Sequence, residues 1–139
     1  MTTEKYLSQA IRFERMVKNK TGEMARYRDL SVSISVNNDS ERVQTSGNKD
    51  KIGEFATRIY DLQKEIQDLT VKRDTIINQI ENMDDPDVYQ VLYSKYIDGI
   101  HLHEVKDIVH CSKTQIYRIH ERALSEFEQK YGKLYAKIR

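Results

Sequence analysis

Residues 52–83 read IGEFATRIYDLQKEIQDLTVKRDTIINQIENM, and within them Ile52, Phe55, Ile59, Leu62, Ile66, Leu69, Arg73, Ile76, Ile80 and Met83 fall in alternating steps of three and four. An apolar seam with this period is the a/d stripe of a helix that packs lengthwise on another, and over four heptads it argues for a coiled coil. Arg73 is its one charged position. At about 1.5 Å per residue, a helix from Lys49 to Met83 is about 50 Å long and cannot bury its stripe alone. Two partners would cover it: an earlier helix of the chain folded back as a hairpin, or the same helix of a second copy. Heptad spacing leaves both open.

Toward the N-terminus, Tyr6, Ala10, Phe13, Val17, Met24 and Tyr27 also keep a three-and-four spacing, so an amphipathic helix is expected from Thr3 to about Leu30. Lys18-Asn19-Lys20-Thr21-Gly22 interrupts the stripe with weak helix formers, and a kink or break is expected there. Residues 31–48 are rich in Ser, Asn and Asp, a loop composition too long for a tight hairpin. Val32, Ile34 and Val36 alternate with serines as a short strand would, but no second strand is visible and the loop is the better reading. Toward the C-terminus, Asp84-Asp85-Pro86-Asp87 stops the long helix and starts another, with Asp85 as N-cap and Pro86 at the first helical position. This junction divides the expected organisation: a helical hairpin or coiled coil over 1–85, with loop 31–48, and a second domain over 86–139.

Three short helices are expected in that second domain. Val88, Tyr89, Leu92, Tyr93, Tyr96 and Ile97 make the first stripe, closed at Asp98-Gly99, where glycine can take a left-handed cap. Leu102, Val105, Ile108 and Val109 make a two-turn second helix. After His110-Cys111, Ser112-Lys113-Thr114-Gln115 has the form of a capping box and opens a third helix with the stripe Ile116, Ile119, Ala123, Leu124 and Phe127. The lengths and turns fit a helix-turn-helix, so the fold class is all-α, a long hairpin or coiled coil followed by a three-helix helix-turn-helix domain. With Ile116, Ile119, Ala123 and Phe127 inward, Thr114, Arg118, Glu121 and Ser125 point outward, flanked by Lys113, Gln115, Tyr117 and Arg122.

A protruding helix of this kind fits the major groove of DNA while the preceding helix crosses the backbone. Arg118 can read guanine and Gln115 adenine, although Gln115 is also needed in the capping box; Lys113, Tyr117 and Arg122 are placed for phosphates. The candidate DNA-binding set is therefore Ser112, Lys113, Thr114, Gln115, Tyr117, Arg118 and Arg122. Glu121 on the same face repels phosphate unless it meets a cytosine amino group. The plain alternative is a three-helix bundle with an ordinary solvated face.

Composition agrees with an all-α protein: in 139 residues there are five Gly and one Pro, too little punctuation for many short strands. The net charge of +1 carries no signature of nucleic-acid binding. From Ser112 onward, however, seven basic face three acidic residues. Mean hydropathy is −0.75 and no apolar run is long enough to span a bilayer, so no membrane partner is expected. The N-terminus lacks the pattern of a secretion signal, which points to the cytoplasm.

One cysteine, Cys111, forms no internal disulfide. It lies near His101, His103, His110 and His120, but the spacing matches no zinc motif, and on a helix His101 and His103 would diverge by about 200°. No glycine-rich phosphate loop or nucleophile motif is present, and the expectation is a non-enzymatic protein that needs no cofactor.

Lys95-Tyr96-Ile97-Asp98-Gly99-Ile100, Glu104-Val105, Asp107-Ile108-Val109, Ser112 and Arg122-Ala123-Leu124 resemble region 4 of bacterial sigma factors over about 88–128. Gln115-Ile116-Tyr117-Arg118-Ile119-His120 through Ala123-Leu124, preceded by Glu41-Arg42-Val43-Gln44-Thr45-Ser46-Gly47 and a long helix, resembles the ArpU-like and RinA-like late-gene transcriptional activators of phages and prophages of Gram-positive bacteria. The resemblance implies an activator that binds promoter double-stranded DNA in a bacterial host, acting with host RNA polymerase. Three positions depart from the sigma-like pattern: Lys106 replaces a small residue between the two helices, His110 a turn glycine, and His101 a Ser or Thr cap. Two other classes stay open. A phage DNA-packaging recognition subunit also joins a helix-turn-helix to an oligomerising helix, and in a protein-interaction module the long helices would be the working surface. A homodimer through the seam is the expected oligomer if a second copy covers the long helix, whereas ring-sized oligomers would favour the packaging subunit.

Overall fold

The computed structural model describes the backbone of residues 1–41 and 46–136, and the side chains within these spans except those of 35–41 and 46–48. Among the described residues all regular structure is helical: α1 (Thr3–Glu41), α2 (Ser46–Glu81), α3 (Pro86–Leu92) running into one π-helical turn (Tyr93–Ile97), α4 (Leu102–Ile108) and α5 (Lys113–Tyr135). The all-α expectation holds, with long helices first and shorter ones after. Among the described residues no helix is long and apolar enough to cross a membrane.

Two expectations are corrected. The stretch expected as loop 31–48 is helical to Glu41 and again from Ser46; its residues 42–45 lie outside the described ones. Val32 and Ile34 thus lie on a helix, not a strand, as does the backbone of Val36. Ser and Asn lower helix propensity by only a few tenths of a kcal/mol each, and Ser31 turns its hydroxyl back to the Tyr27 carbonyl at 2.9 Å. Nor does α1 break at 18–22. Thr21 donates to the Val17 carbonyl at 2.7 Å, and Gly22, at about 1 kcal/mol relative to Ala, is too small a penalty to end a helix packed along its length.

The chain packs as two compact units, Arg15–Thr70 and Met1–Glu14 with Val71–Arg139. In the first, α1 and α2 run antiparallel. Lys20 meets Glu65 at 2.9 Å, Glu23 meets Arg58 at 3.3 Å, and the rings of Tyr27 and Phe55 lie 5.5 Å apart. Leu62 and Leu69 of the seam are buried; Ile52, Phe55, Ile59 and Ile66 are half-buried. The first helix of the same chain therefore supplies the opposing stripe.

The second unit differs from the expected division at 85/86. Its main core joins Leu7 and Ala10 of α1, Ile76 and Ile80 of α2, Val88 and Leu92 of α3, Tyr96 and Ile97 of the π turn, and Ala123, Phe127 and Tyr135 of α5. The Asp85-Pro86 junction is a helix boundary as expected, since Asp85 Oδ1 accepts from the amides of Asp87 at 2.8 Å and Val88 at 3.4 Å, with Pro86 at the first helical position. It is not a boundary of packing. The short helices alone offer too little interior, and the ends of α1 and α2 complete it. An aromatic group fastens the arrangement: Tyr6 stacks on Tyr135 at 4.3 Å, Phe127 lies 5.1 Å from Tyr131, and Thr3 Oγ1 bonds Tyr135 Oη at 2.8 Å. Burial raises the pKa of both Tyr6 and Tyr135, so each phenol stays protonated and able to donate. Tyr6 Oη donates a hydrogen bond to Gln79 Oε1 at 2.6 Å.

A candidate nucleic-acid interface on the C-terminal helix pair

Helices α4 and α5 are joined by a turn in which His110 takes φ +55°, the left-handed region. The Cys111 amide reaches back to the Lys106 carbonyl at 3.0 Å, the six-to-one bond of a Schellman stop, so His110 stands where glycine usually stands. Among non-glycine residues His is one of the better tolerated there. Ser112 then caps α5. Its hydroxyl accepts from the Gln115 amide at 3.2 Å, and the Ser112 amide donates to Gln115 Oε1 at 3.1 Å, completing the capping box expected from sequence. Stop and start follow within three residues, fixing where α5 leaves the turn.

A small second core holds the pair together: Val91, Leu102, Val105 and Ile116 are buried, with Val109, Cys111 and Ile119 against them. This rolls α5 so that Lys113, Thr114, Tyr117, Arg118 and Glu121 line one shallow groove. Of the seven sequence-predicted residues, Lys113, Thr114, Tyr117 and Arg118 are thus brought together, and Tyr117 is 46% exposed. Among the described residues neither Lys113 nor Arg118 is in an ion pair. Ser112 and Gln115 are exposed, but their side-chain oxygens are used in the cap. Arg122 is engaged elsewhere. Its guanidinium meets Asp85 at 2.9 Å and Glu126 at 3.8 Å, tying α5 to the N-cap of α3.

Three features are set by tertiary contacts or backbone geometry. His120 faces inward, 5% exposed, and shares a hydrogen bond of 2.8 Å with Tyr96 Oη. Burial, reinforced by Lys95, holds the His120 pKa below its ordinary value, and burial raises that of Tyr96, so the neutral pair is favoured. The widening of α3 into a π turn buries Ser94, which accepts from Gln90 Nε2 at 2.8 Å, and Gly99 at φ +72° ends the turn as its position suggests. No residue pattern marks the π turn in advance. Lastly, His101 is the extended N-cap of α4 (φ −67°, ψ 147°), so it does not diverge from His103 as it would on a helix. Their rings stack with centroids 5.6 Å apart. The His101 ring makes no capping bond.

No curated protein and no solved structure matches the chain. A family model described as "Protein of unknown function (DUF1492)" matches residues 30–128, a span that takes in α2, α3, the π turn, α4 and most of α5, and the chain belongs to that family.

Proposed function

We propose that the chain is a sequence-specific double-stranded DNA-binding protein that reads promoter DNA with α5, as a transcriptional activator of the ArpU-like and RinA-like phage class working with host RNA polymerase. The observation that carries the reading is the α5 face itself: a capped helix start behind a tight turn presents Lys113, Thr114, Tyr117 and Arg118 around one groove, the two cations outside any ion pair among the described residues. Such a face suits the major groove, with Arg118 for guanine and Lys113 and Tyr117 for phosphates. The non-enzymatic role and the activator assignment belong to the same reading. So does the possibility of two half-sites bound by a homodimer through the long helices.

The test begins with selection of a binding site from a random duplex pool, followed by titration at several salt concentrations. Wild-type affinity should fall steeply with salt, and Arg118→Ala should relax preference at one base position, at a cost of about 1–3 kcal/mol there. Equal loss on all sequences would refute base reading by Arg118. Light scattering on the eluted complex separates the rival classes: a ring-sized oligomer favours DNA packaging, and no duplex retention favours an interaction module.

A further inference from the structure

Beside the recognition groove lies a second concavity of about 380 Å³, lined among others by Lys95 of the π turn, His101 and His103 at the start of α4, Tyr117 of α5 and Ile11 of α1. Tyr117 borders both hollows. We infer that this notch holds one phosphate of the DNA backbone and that His101 and His103 grip it in their protonated forms, so that duplex binding takes up protons. The inference rests on the DNA-binding reading of α5.

The chemistry of the lining supports an anion. Lys95 supplies a fixed positive charge with no carboxylate partner among the described residues, its ammonium lying 5.5 Å from the Tyr96 ring centroid. Both imidazoles are exposed and, among the described residues, free of hydrogen bonds to the chain, and the Tyr117 hydroxyl adds a donor. Among the described residues no carboxylate lines the notch; Glu104 on α4 lies 3.8 Å from His103 Nε2, and α1 contributes the apolar Ile11. Two stacked rings 5.6 Å apart repel when both are charged, and an anion between them and Lys95 removes that cost. Anion binding and protonation therefore favour each other by linkage. A phosphate here would flank a base edge in the α5 groove, because the two hollows share Tyr117 as their common wall. That shared wall favours a strand of DNA over a free phosphate ion.

The experiment is anisotropy titration of the full chain with a labelled mixed-sequence duplex between about pH 5.5 and 8, the range in which imidazole changes charge. It compares wild type with the double variant His101→Gln, His103→Gln, checked for unchanged helicity by circular dichroism. Wild-type affinity should rise about tenfold as pH falls across this range. In the double variant that rise should be largely lost, and the dependence of log K on log salt should shrink by about 0.9, one phosphate contact. A double variant that keeps the wild-type pH and salt dependence overturns the notch and leaves the DNA reading standing, since His110 and His120 remain in it. Inorganic phosphate that shifts the two imidazole resonances while the variant binds duplex normally also overturns it. Absence of any duplex binding by wild type overturns both readings.

Discussion

The contact between Arg122 and Asp85 decides between two uses of an arginine, and it can be taken apart. Asp85 does two things: Oδ1 accepts two backbone amides at the start of α3, and Oδ2 receives Arg122 from α5 at 2.9 Å. Replacing an N-cap Asp by Ala costs about 1 kcal/mol, within about 0.5–2. The ion pair is solvated, with side chains 36% and 49% exposed, and such pairs contribute about 0.2–1 kcal/mol. Asp85→Asn keeps an acceptor for the cap and removes the charge, so it should cost no more than about 1 kcal/mol and match Arg122→Ala. Asp85→Ala removes both and should cost about 1–3 kcal/mol. The assay is urea unfolding at constant slope, where 1 kcal/mol moves the midpoint by about 0.5 M. Combining Asp85→Asn with Arg122→Ala should add little to either alone, because both remove the same contact. If Asp85→Asn costs as much as Asp85→Ala, the cap is not what Asp85 supplies and the reasoning fails. If Arg122→Ala leaves the midpoint unmoved yet weakens duplex binding about tenfold, Arg122 is a phosphate contact instead.

Arg73, the charged residue of the seam, has a buried Nε with no hydrogen-bond partner among the described residues and only long ion pairs, 3.9 Å to Glu14 and 3.8 Å to Asp74. An unmade buried bond costs about 1–3 kcal/mol, more than the two pairs return, so Arg73→Leu should raise the urea midpoint; a drop in midpoint would show that Arg73 holds the helices together. His120 has a folded-state pKa held below its ordinary 6.5, so its unfolded form binds protons first. Its contribution to stability is therefore complete above about pH 6.5 and is lost as pH falls from there through the folded value. Unfolding measured from about pH 7.5 to 5 should be flatter for His120→Gln than for wild type, and equal slopes would show that the ring titrates alike in both states.

Where the sequence was legible, the reason was local chemistry. The Asp85 cap, the capping box at Ser112 and the left-handed positions at Gly99 and His110 are each set by a few neighbouring residues, and each is found as read. What was misread needed either length or tertiary partners. The Ser- and Asn-rich segment after Leu30 looks like a loop residue by residue, yet helix costs there are small and nothing in Ser31 to Glu41 forbids continuation. The role of Arg122 depends on Asp85 across 37 positions, and that of His120 on Tyr96 across 24. The pairing of His101 with His103 turns on one extended residue at a helix start, which a helical wheel cannot represent. On the candidate DNA face, the side chains nearest the cap lie at the surface as their helical positions imply, but their division into free and engaged groups follows from tertiary contacts.

The seam does different work at its two ends, and this bears on how α5 is held. Leu62 and Leu69 are buried where α2 lies along α1 in the unit Arg15–Thr70. Ile76 and Ile80 continue the same heptads but belong to the core that also contains Ala123, Phe127 and Tyr135 of α5. A heptad pattern reports only that a stripe is covered, not what covers it. Helix α5 is therefore seated at two levels: near its start Ile116 packs with Val91, Leu102 and Val105, and farther along Ala123, Phe127 and Tyr135 join the core formed with the ends of α1 and α2. Losing a methyl or more at Ile76 or Ile80 opens a void directly under α5, whereas the same loss at Ile59 or Leu62 loosens only the pairing of the long helices. Helices α3 to α5 are in this sense one unit with the ends of the long helices, and α5 takes part of its floor from Leu7 and Ala10 of α1.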